Sequence, residues 1–207
     1  MNILQINTTD IKGGAATVAF NIHKKLTKNG HQMNMLVGRK DSNDPKIRVL
    51  NDILSLSGRI RKKLAYWLAN DIDVLRSDHL LETEEYREAD IIHCHNLHGN
   101  YFNLSTLKKI KKPIVWTFHD MWPITSHCAH AFNGKVKDGF FTCPSNKIYP
   151  PIAWSNDKYL ENKKLEIYNK SKFSIVAPSN WMKSKISETI LASKPIQLIH
   201  NGINTEI

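Results

Sequence analysis

Cysteine is scarce in this chain. Only Cys94, Cys128 and Cys143 occur in 207 residues, and none of them forms a CxxC pair. An odd, sparse set argues against a disulfide framework and fits a reducing compartment. No apolar run approaches the roughly 20 residues of a membrane-spanning helix. The N-terminus lacks the basic, apolar and small-residue order of a signal peptide. The expected location is therefore the cytoplasm. There is no internal repeat and no low-complexity tract. Acidic residues are also short: 19 Asp and Glu stand against 29 Lys and Arg, a formal net charge of +10. That balance suits a polyanionic or anionic-surface partner. By itself it does not separate nucleic acid, anionic lipid and phosphorylated substrates from plain solubility.

What is present is a regular alternation. Apolar runs suited to buried strands fall at Ile3–Ile6, Met33–Val37, Ile47–Leu50, Ile91–Cys94, Ile114–Phe118, Ser174–Ala177 and Ile196–Ile199. Helical patterns lie near 15–29, 53–76, 103–111, 157–170 and 179–192. Alternation of this kind implies βαβ units and a mainly parallel sheet in an α/β domain. Pro113 and Pro195 each stand just before a strand, where a lost N–H costs little. Pro178-Ser179-Asn180 reads as strand end, N-cap and helix start. One segment, Met121 to Ser155, breaks the rhythm. It is rich in proline and glycine and follows a strand, so it belongs at the carboxyl end of the sheet, where open α/β folds bind ligands.

Several constellations could carry chemistry. Gly13-Gly14 follows the first strand and opens the first helix. A βα turn of this kind presents bare backbone N–H groups to an anion, though two glycines fit a plain tight turn as well. His119-Asp120 stands at the carboxyl end of the strand Ile114–Phe118, a position suited to a histidine that donates to a sugar hydroxyl or phosphate oxygen. A helix-capping Asp beside a backbone-bonded His accounts for the pair equally simply. In His93-Cys94-His95-Asn96-Leu97-His98, the two-residue spacing puts His93 and His95 on one face of a strand and Cys94 on the other. His95, Asn96 and His98 fit polar groups at the lip of a site. His127, Cys128, His130 and Cys143 could hold zinc in one loop, but they form no recognisable ligand pairs, and we expect no metal. In Arg59-Ile60-Arg61-Lys62-Lys63-Leu64-Ala65-Tyr66-Trp67-Leu68, the residues Ile60, Leu64, Trp67 and Leu68 share a helix face. Arg59, Arg61, Lys62 and Lys63 crowd the remainder. Such a helix lies on an anionic membrane or packs its apolar stripe on the sheet. The aromatics do not interleave with the cations as base-stacking platforms do, so we expect no nucleic-acid partner.

Several strings converge on a known family. They are Met1–Asn7 with Gly13–Ala16, His93–Gly99, Trp116–Trp122, Ser126–Cys128, Ala177–Met182 and Ile199–Asn204. Taken in order they resemble the N-terminal half of glycosyltransferase family 4, the retaining GT-B enzymes. Within it they are most similar to bacterial exopolysaccharide and lipopolysaccharide-type transferases. The resemblance implies two Rossmann-like domains across a cleft, the first binding acceptor and the second a nucleotide-sugar donor. It implies one Rossmann-like domain over residues 1–199, with helices on both faces of the sheet and the start of an interdomain linker at 200–207. The donor-binding domain is then absent from this sequence, as in a truncated, split or excised enzyme. By the same resemblance Gly13 and Gly14 approach the donor diphosphate and His119 contacts the transferred sugar, with Asp120 orienting the loop. His95, Asn96 and His98 line the acceptor side. No metal or cofactor is implied. The complete enzyme would move a hexose to a lipid-linked or saccharide acceptor in envelope polysaccharide synthesis, at the inner face of the cell membrane. The alternative is a non-catalytic module that binds membrane or glycan. One departure stands out: Phe140 occupies the place where relatives often carry the first cysteine of a CxxCP, beside Cys143-Pro144.

Overall fold

The computed structural model describes residues 1–51 and 53–202. The linker residues Ile203 and Asn204 lie outside that range. The chain forms a seven-stranded sheet from β1 (Asn2–Thr9), β2 (Gln32–Arg39), β3 (Ile47–Val49), β4 (Ile91–Cys94), β5 (Ile114–Thr117), β8 (Ser174–Ala177) and β9 (Ile196–Leu198). A two-stranded hairpin, β6 (Val136–Lys137) and β7 (Phe140–Phe141), stands apart from it. The sheet order is β3-β2-β1-β4-β5-β8-β9, and every pairing in it is parallel. This is the Rossmann-like α/β fold expected. Each expected strand is present. They are short because crossover helices bury both faces, so a run of four apolar residues is enough.

The order reverses between β1 and β4, leaving a crevice at their carboxyl ends. β1 shows how one strand serves both faces. Leu4 and Ile6 point into the large core with Ile92, Cys94, Trp116, Phe118 and Ile175. Gln5 points the other way and donates to the carbonyl of Ala19 in α1 (Gly14–Lys28). Ala19 packs there with Met35, Val37 and Ile47. On the opposite face, α4 (Asp157–Lys170) and α5 (Asn180–Ser187) bury Leu160, Ile167, Met182 and Ile186 in the large core. Ser179 caps α5, accepting the Met182 N–H at 3.1 Å.

The helical patterns were less faithful to the sequence than the strands. The stretch 53–76 forms a helix only over α2 (Leu56–Trp67). Ala69 then adopts a left-handed φ of 46°, and Asn70 Oδ1 accepts the N–H groups of Ile72 and Asp73. That Asx turn drops Ile72 and Leu75 into the core as irregular chain. The stretch 103–111 is a 3-10 turn over Leu104–Lys108, started by the Asn103 side chain. The 179–192 pattern breaks after α5 into a 3-10 turn at Ile190–Ser193, begun by Thr189. A 3-10 turn at Asp78–Glu82 and the short α3 (Glu84–Glu88), capped by Thr83, had no periodic signal.

The expectation of no disulfide is corrected. Cys128 and Cys143 are bonded, with Cα atoms 5.9 Å apart, inside the usual range. The long segment 121–155 folds back on itself through β6–β7, and this brings the two residues together. The segment is otherwise anchored by a buried lysine. Lys164 of α4 donates to the carbonyls of Trp122 and Thr125 and sits 3.9 Å over the Trp122 ring. Burial pulls its pKa down to about 7, against the attraction of Asp71.

Candidate functional site

The crevice is built from the carboxyl ends of β1, β4 and β5. Gly13 sits at φ 102°, ψ 161° as the N-cap of α1, a conformation nearly closed to residues with a Cβ. No side chain caps α1, and no acidic residue stands in its first turn. Its first N–H groups therefore face open space with the positive end of the helix dipole behind them. The turn before it is held firmly. Asp10, fully buried, accepts N–H bonds from Asp41 and Ser42 at 2.9 and 2.8 Å, and Thr9 Oγ1 donates to the Lys12 carbonyl. A groove of about 220 Å³ lies in front of this turn, walled by Asn7, Thr8, Asn96, His98 and Tyr149.

Beside the groove three histidine rings stack across the strands. His93 and His95 lie 4.2 Å apart, and His95 and His119 lie 5.2 Å apart. His93 and His95 share a face and Cys94 is buried on the other, as the spacing implied. The hydrogen bonds fix the tautomers. Gln5 Nε2 donates to the Ala19 carbonyl, so it is an N–H that also meets His95 Nε2 at 3.2 Å. His95 Nδ1 then carries the proton and donates to His119 Nε2 at 2.9 Å. This leaves His119 with its own proton on Nδ1, which has no partner among the described residues. Burial lowers the pKa of His119 to about 4, so the ring is neutral near pH 7. It offers a hydrogen bond and not a charge. His93 is likewise lowered to about 4 by burial and meets Thr117 Oγ1 at 2.9 Å.

The structure divides the expected site residues into two groups. Gly13, Gly14, Asn96 and His98 face the groove, and His119 stands at the same edge of the sheet. His95 does not reach the lip; it is 1% exposed. The backbone of β4 runs on past its last strand residue, with the His95 N–H bonded to the Ile6 carbonyl at 2.9 Å and the Trp116 indole donating to the His95 carbonyl at 2.7 Å. The ring is thereby wedged beneath His119 and positions it. Asp120 also acts from behind. It pairs with His98 Nε2 at 2.8 Å and accepts the Trp122 N–H at 2.9 Å. Burial pushes its carboxyl up, but these partners outweigh it and hold the pKa below the usual value.

Tyr149, Thr8 and Asn7 also wall the groove; Tyr149 falls in the segment 121–155 and Asn7 in the first string, but neither was singled out in the sequence, and Thr8 carried no signal. Thr8 donates to the carbonyls of Asn96 and His98, clamping β1 to the loop after β4. Gly99, at φ 100°, lies where a Cβ would come within 2.9 Å of Thr8 Cγ2.

The basic helix lies next to this region. In α2 only Gly58 and Ala65 are buried. Leu56, Ile60, Leu64, Trp67 and Leu68 are all about half or more exposed, Trp67 at 68%. Arg59, Lys62 and Lys63 border a cavity of about 580 Å³ shared with Gly99, Asn100 and the Tyr149–Pro151 turn. Arg61 lies on the same face as the buried Gly58 and Ala65, is partly buried, and donates to Ser57 Oγ. Among the described residues, no helix is long and apolar enough to cross a membrane. Of the Cys/His loop, His127, Cys128 and Cys143 lie together, whereas His130 is exposed and stacks on Phe132.

Comparison with known proteins agrees with this architecture. The family model of Glycosyltransferase Family 4 matches residues 12–207. The putative colanic acid biosynthesis glycosyl transferase WcaC of Escherichia coli (strain K12) is 25% identical over 223 residues, covering 99% of this chain and 55% of that protein. The chain thus spans about half the length of the curated relative it matches.

Proposed function

The chain belongs to glycosyltransferase family 4, and from this we propose that it is the acceptor-binding half of an enzyme of envelope polysaccharide synthesis. The full enzyme moves a hexose from a nucleotide sugar to a lipid-linked or saccharide acceptor. The observation that carries this reading is the pairing, at one edge of the sheet, of an uncapped helix N-terminus with a neutral histidine whose free Nδ1–H is fixed by His95 and Gln5. The N–H groups behind Gly13 and Gly14 offset charge developing on the leaving diphosphate. His119 donates to a hydroxyl of the transferred sugar and orients its anomeric carbon. Asn96 and His98 border the acceptor side of the groove. Asp120 holds His98 and the turn that follows His119. A donor-binding half, reached through the linker that starts at 200–207, supplies the rest of the donor site.

The test is transfer activity with the donor-binding half present, either in one polypeptide or supplied as a second chain. His119→Ala removes the donor and is expected to lower kcat about 10²-fold or more, as for other preorganised donors aimed at a reacting centre. Full activity in that variant overturns the assignment.

A second reading is favoured by α2. Its apolar stripe faces outward with cations beside it, which is the arrangement of a helix lying on an anionic membrane surface. Such docking serves an enzyme with a lipid-linked acceptor, and it also describes a non-catalytic membrane-binding module. Replacing Lys62 and Lys63 with Gln removes about 1 kcal/mol each near an anionic surface. Co-sedimentation with anionic vesicles is expected to weaken roughly 30-fold, with little binding to zwitterionic vesicles in either form. Binding indifferent to lipid charge removes this reading.

A further inference from the structure

The loop between β5 and α4 gathers donor groups for which glycosyl transfer has no use. His127, Cys143 and Asp157 bring one ligand atom each within 4.8 Å of one another. Cys128 is bonded to Cys143, so its sulfur lies at the same point. Asp157 comes from the first turn of α4 and not from the loop, and no spacing of cysteines and histidines could have pointed to it.

Ser126 joins the members of the cluster. Ser126 Oγ stands against three of its members: the Asp157 carboxylate, Cys143 Sγ at 3.3 Å and His127 Nδ1 at 3.2 Å. Ser126 Oγ can accept from the His127 ring while its own proton goes to one of the other two. The Cys128 N–H is also aimed at Cys143 Sγ, at 3.2 Å. A disulfide sulfur is a weak acceptor, whereas a backbone N–H aimed at it suits a metal-bound thiolate. His127 is fully buried and turns Nδ1 toward the cluster, 3.2 Å from Ser126 Oγ and 3.7 Å from Asp157 Oδ1.

We propose that, once the Cys128–Cys143 bond is reduced, this cluster binds a zinc ion through both sulfurs, one ring nitrogen of His127 and the carboxylate of Asp157. Two thiolates with an imidazole and a carboxylate make a four-coordinate set that favours zinc over hard cations. Tetrahedral bonds of 2.0–2.3 Å place ligand atoms about 3.3–3.8 Å apart, so the three separated donors need only draw together slightly while the sulfurs part. The redox step balances with a thiol reductant. Two electrons and two protons break the S–S bond and give two thiols, and the reductant leaves as its own disulfide. Zinc then displaces the two thiol protons to solvent. The oxidised pair closes the loop on itself; the zinc-bound form adds a second tie to α4 beside Lys164.

The untagged, reduced chain is titrated with cobalt and then zinc. The expected result is one metal per chain, a thiolate-to-cobalt charge-transfer band that zinc displaces, and protection of two thiols from a thiol reagent; the third, Cys94, is buried. Asp157→Asn keeps the side chain's shape and one acceptor oxygen, its folding is checked by circular dichroism, and it is expected to weaken binding at least tenfold. Cys143→Ser abolishes the band, and the oxidised chain binds no metal. Cobalt bound without a thiolate band, equal uptake by the oxidised chain, or unchanged affinity in Asp157→Asn overturns the proposal.

Discussion

Helices α1 and α2 both stand by the groove, both are amphipathic in sequence, and they treat their surroundings in opposite ways. α1 buries Ala16, Ala19 and His23 against the sheet, so the helix approaches closely and its N-terminus is held at the end of β1. α2 buries only Gly58 and Ala65, and its larger apolar residues face out. Small residues thus mark the packed face in both. In α1 they coincide with the inner side of the amphipathic pattern; in α2 they lie away from its apolar stripe. Apolar periodicity located both helices but could not say which medium the stripe meets, because lipid and protein core are equally apolar.

The largest effect is expected where α1 meets the sheet. Ala19→Asp places an unpaired carboxylate among Met35, Val37 and Ile47. It should cost about 3–5 kcal/mol, a large part of the 5–15 kcal/mol typical of a domain. Urea unfolding would show it as a lowered midpoint with unchanged slope. A loss below 1 kcal/mol would mean that α1 is as loosely seated as α2.

Acid should expose the same contrast at the histidine stack. The folded-state pKa of His93 is depressed, to about 4, below the unfolded value of about 6.5. Its contribution is therefore complete above pH 6.5 and is lost as pH falls from 6.5 toward 4. At pH 5 this amounts to about 2 kcal/mol, and partly exposed His119 adds a smaller loss of the same sign. Unfolding free energies at pH 7.5 and 5 would measure the sum of these with the loss from buried His95, which burial holds well below its usual pKa; His93→Gln should remove only its own share of about 2 kcal/mol. The α2 surface carries no such buried titrating group, so vesicle binding should not weaken over this range.

These contrasts bear on what was legible beforehand. The strands could be read because short apolar runs flanked by polar residues have little alternative in a parallel sheet. The lip of the site could be read from Gly13, Asn96 and His119 because strand ends and βα turns have fixed places in this topology. Three things could not. That His95 lies beneath His119 depends on a backbone bond to Ile6 and an indole from Trp116, both distant in sequence. The Cys128–Cys143 bond depends on how segment 121–155 turns back, which no local pattern encodes. The irregular end of the 53–76 stretch depends on one Asx turn at Asn70, which overrode an otherwise sound helical period.

The smallest effect on stability, and the sharpest separation of the two helices, should come from Leu64→Ser. Leu64 is 49% exposed, so removing it leaves no cavity, and surface changes of this kind stay within about 0.5 kcal/mol. Serine is a slightly poorer helix former than leucine, but the C-terminal end of α2 is also held by the loop before α4: the Trp154 indole donates to the Trp67 carbonyl at 3.0 Å, and the Ala153 N–H donates to that of Tyr66 at 2.9 Å. Helix content by circular dichroism should therefore be unchanged. Vesicle binding should nonetheless fall several-fold, since a side chain that inserts contributes in proportion to the apolar area it buries. If instead the variant unfolds readily and binds vesicles normally, the stripe packs on protein in solution, and α2 is the same kind of helix as α1.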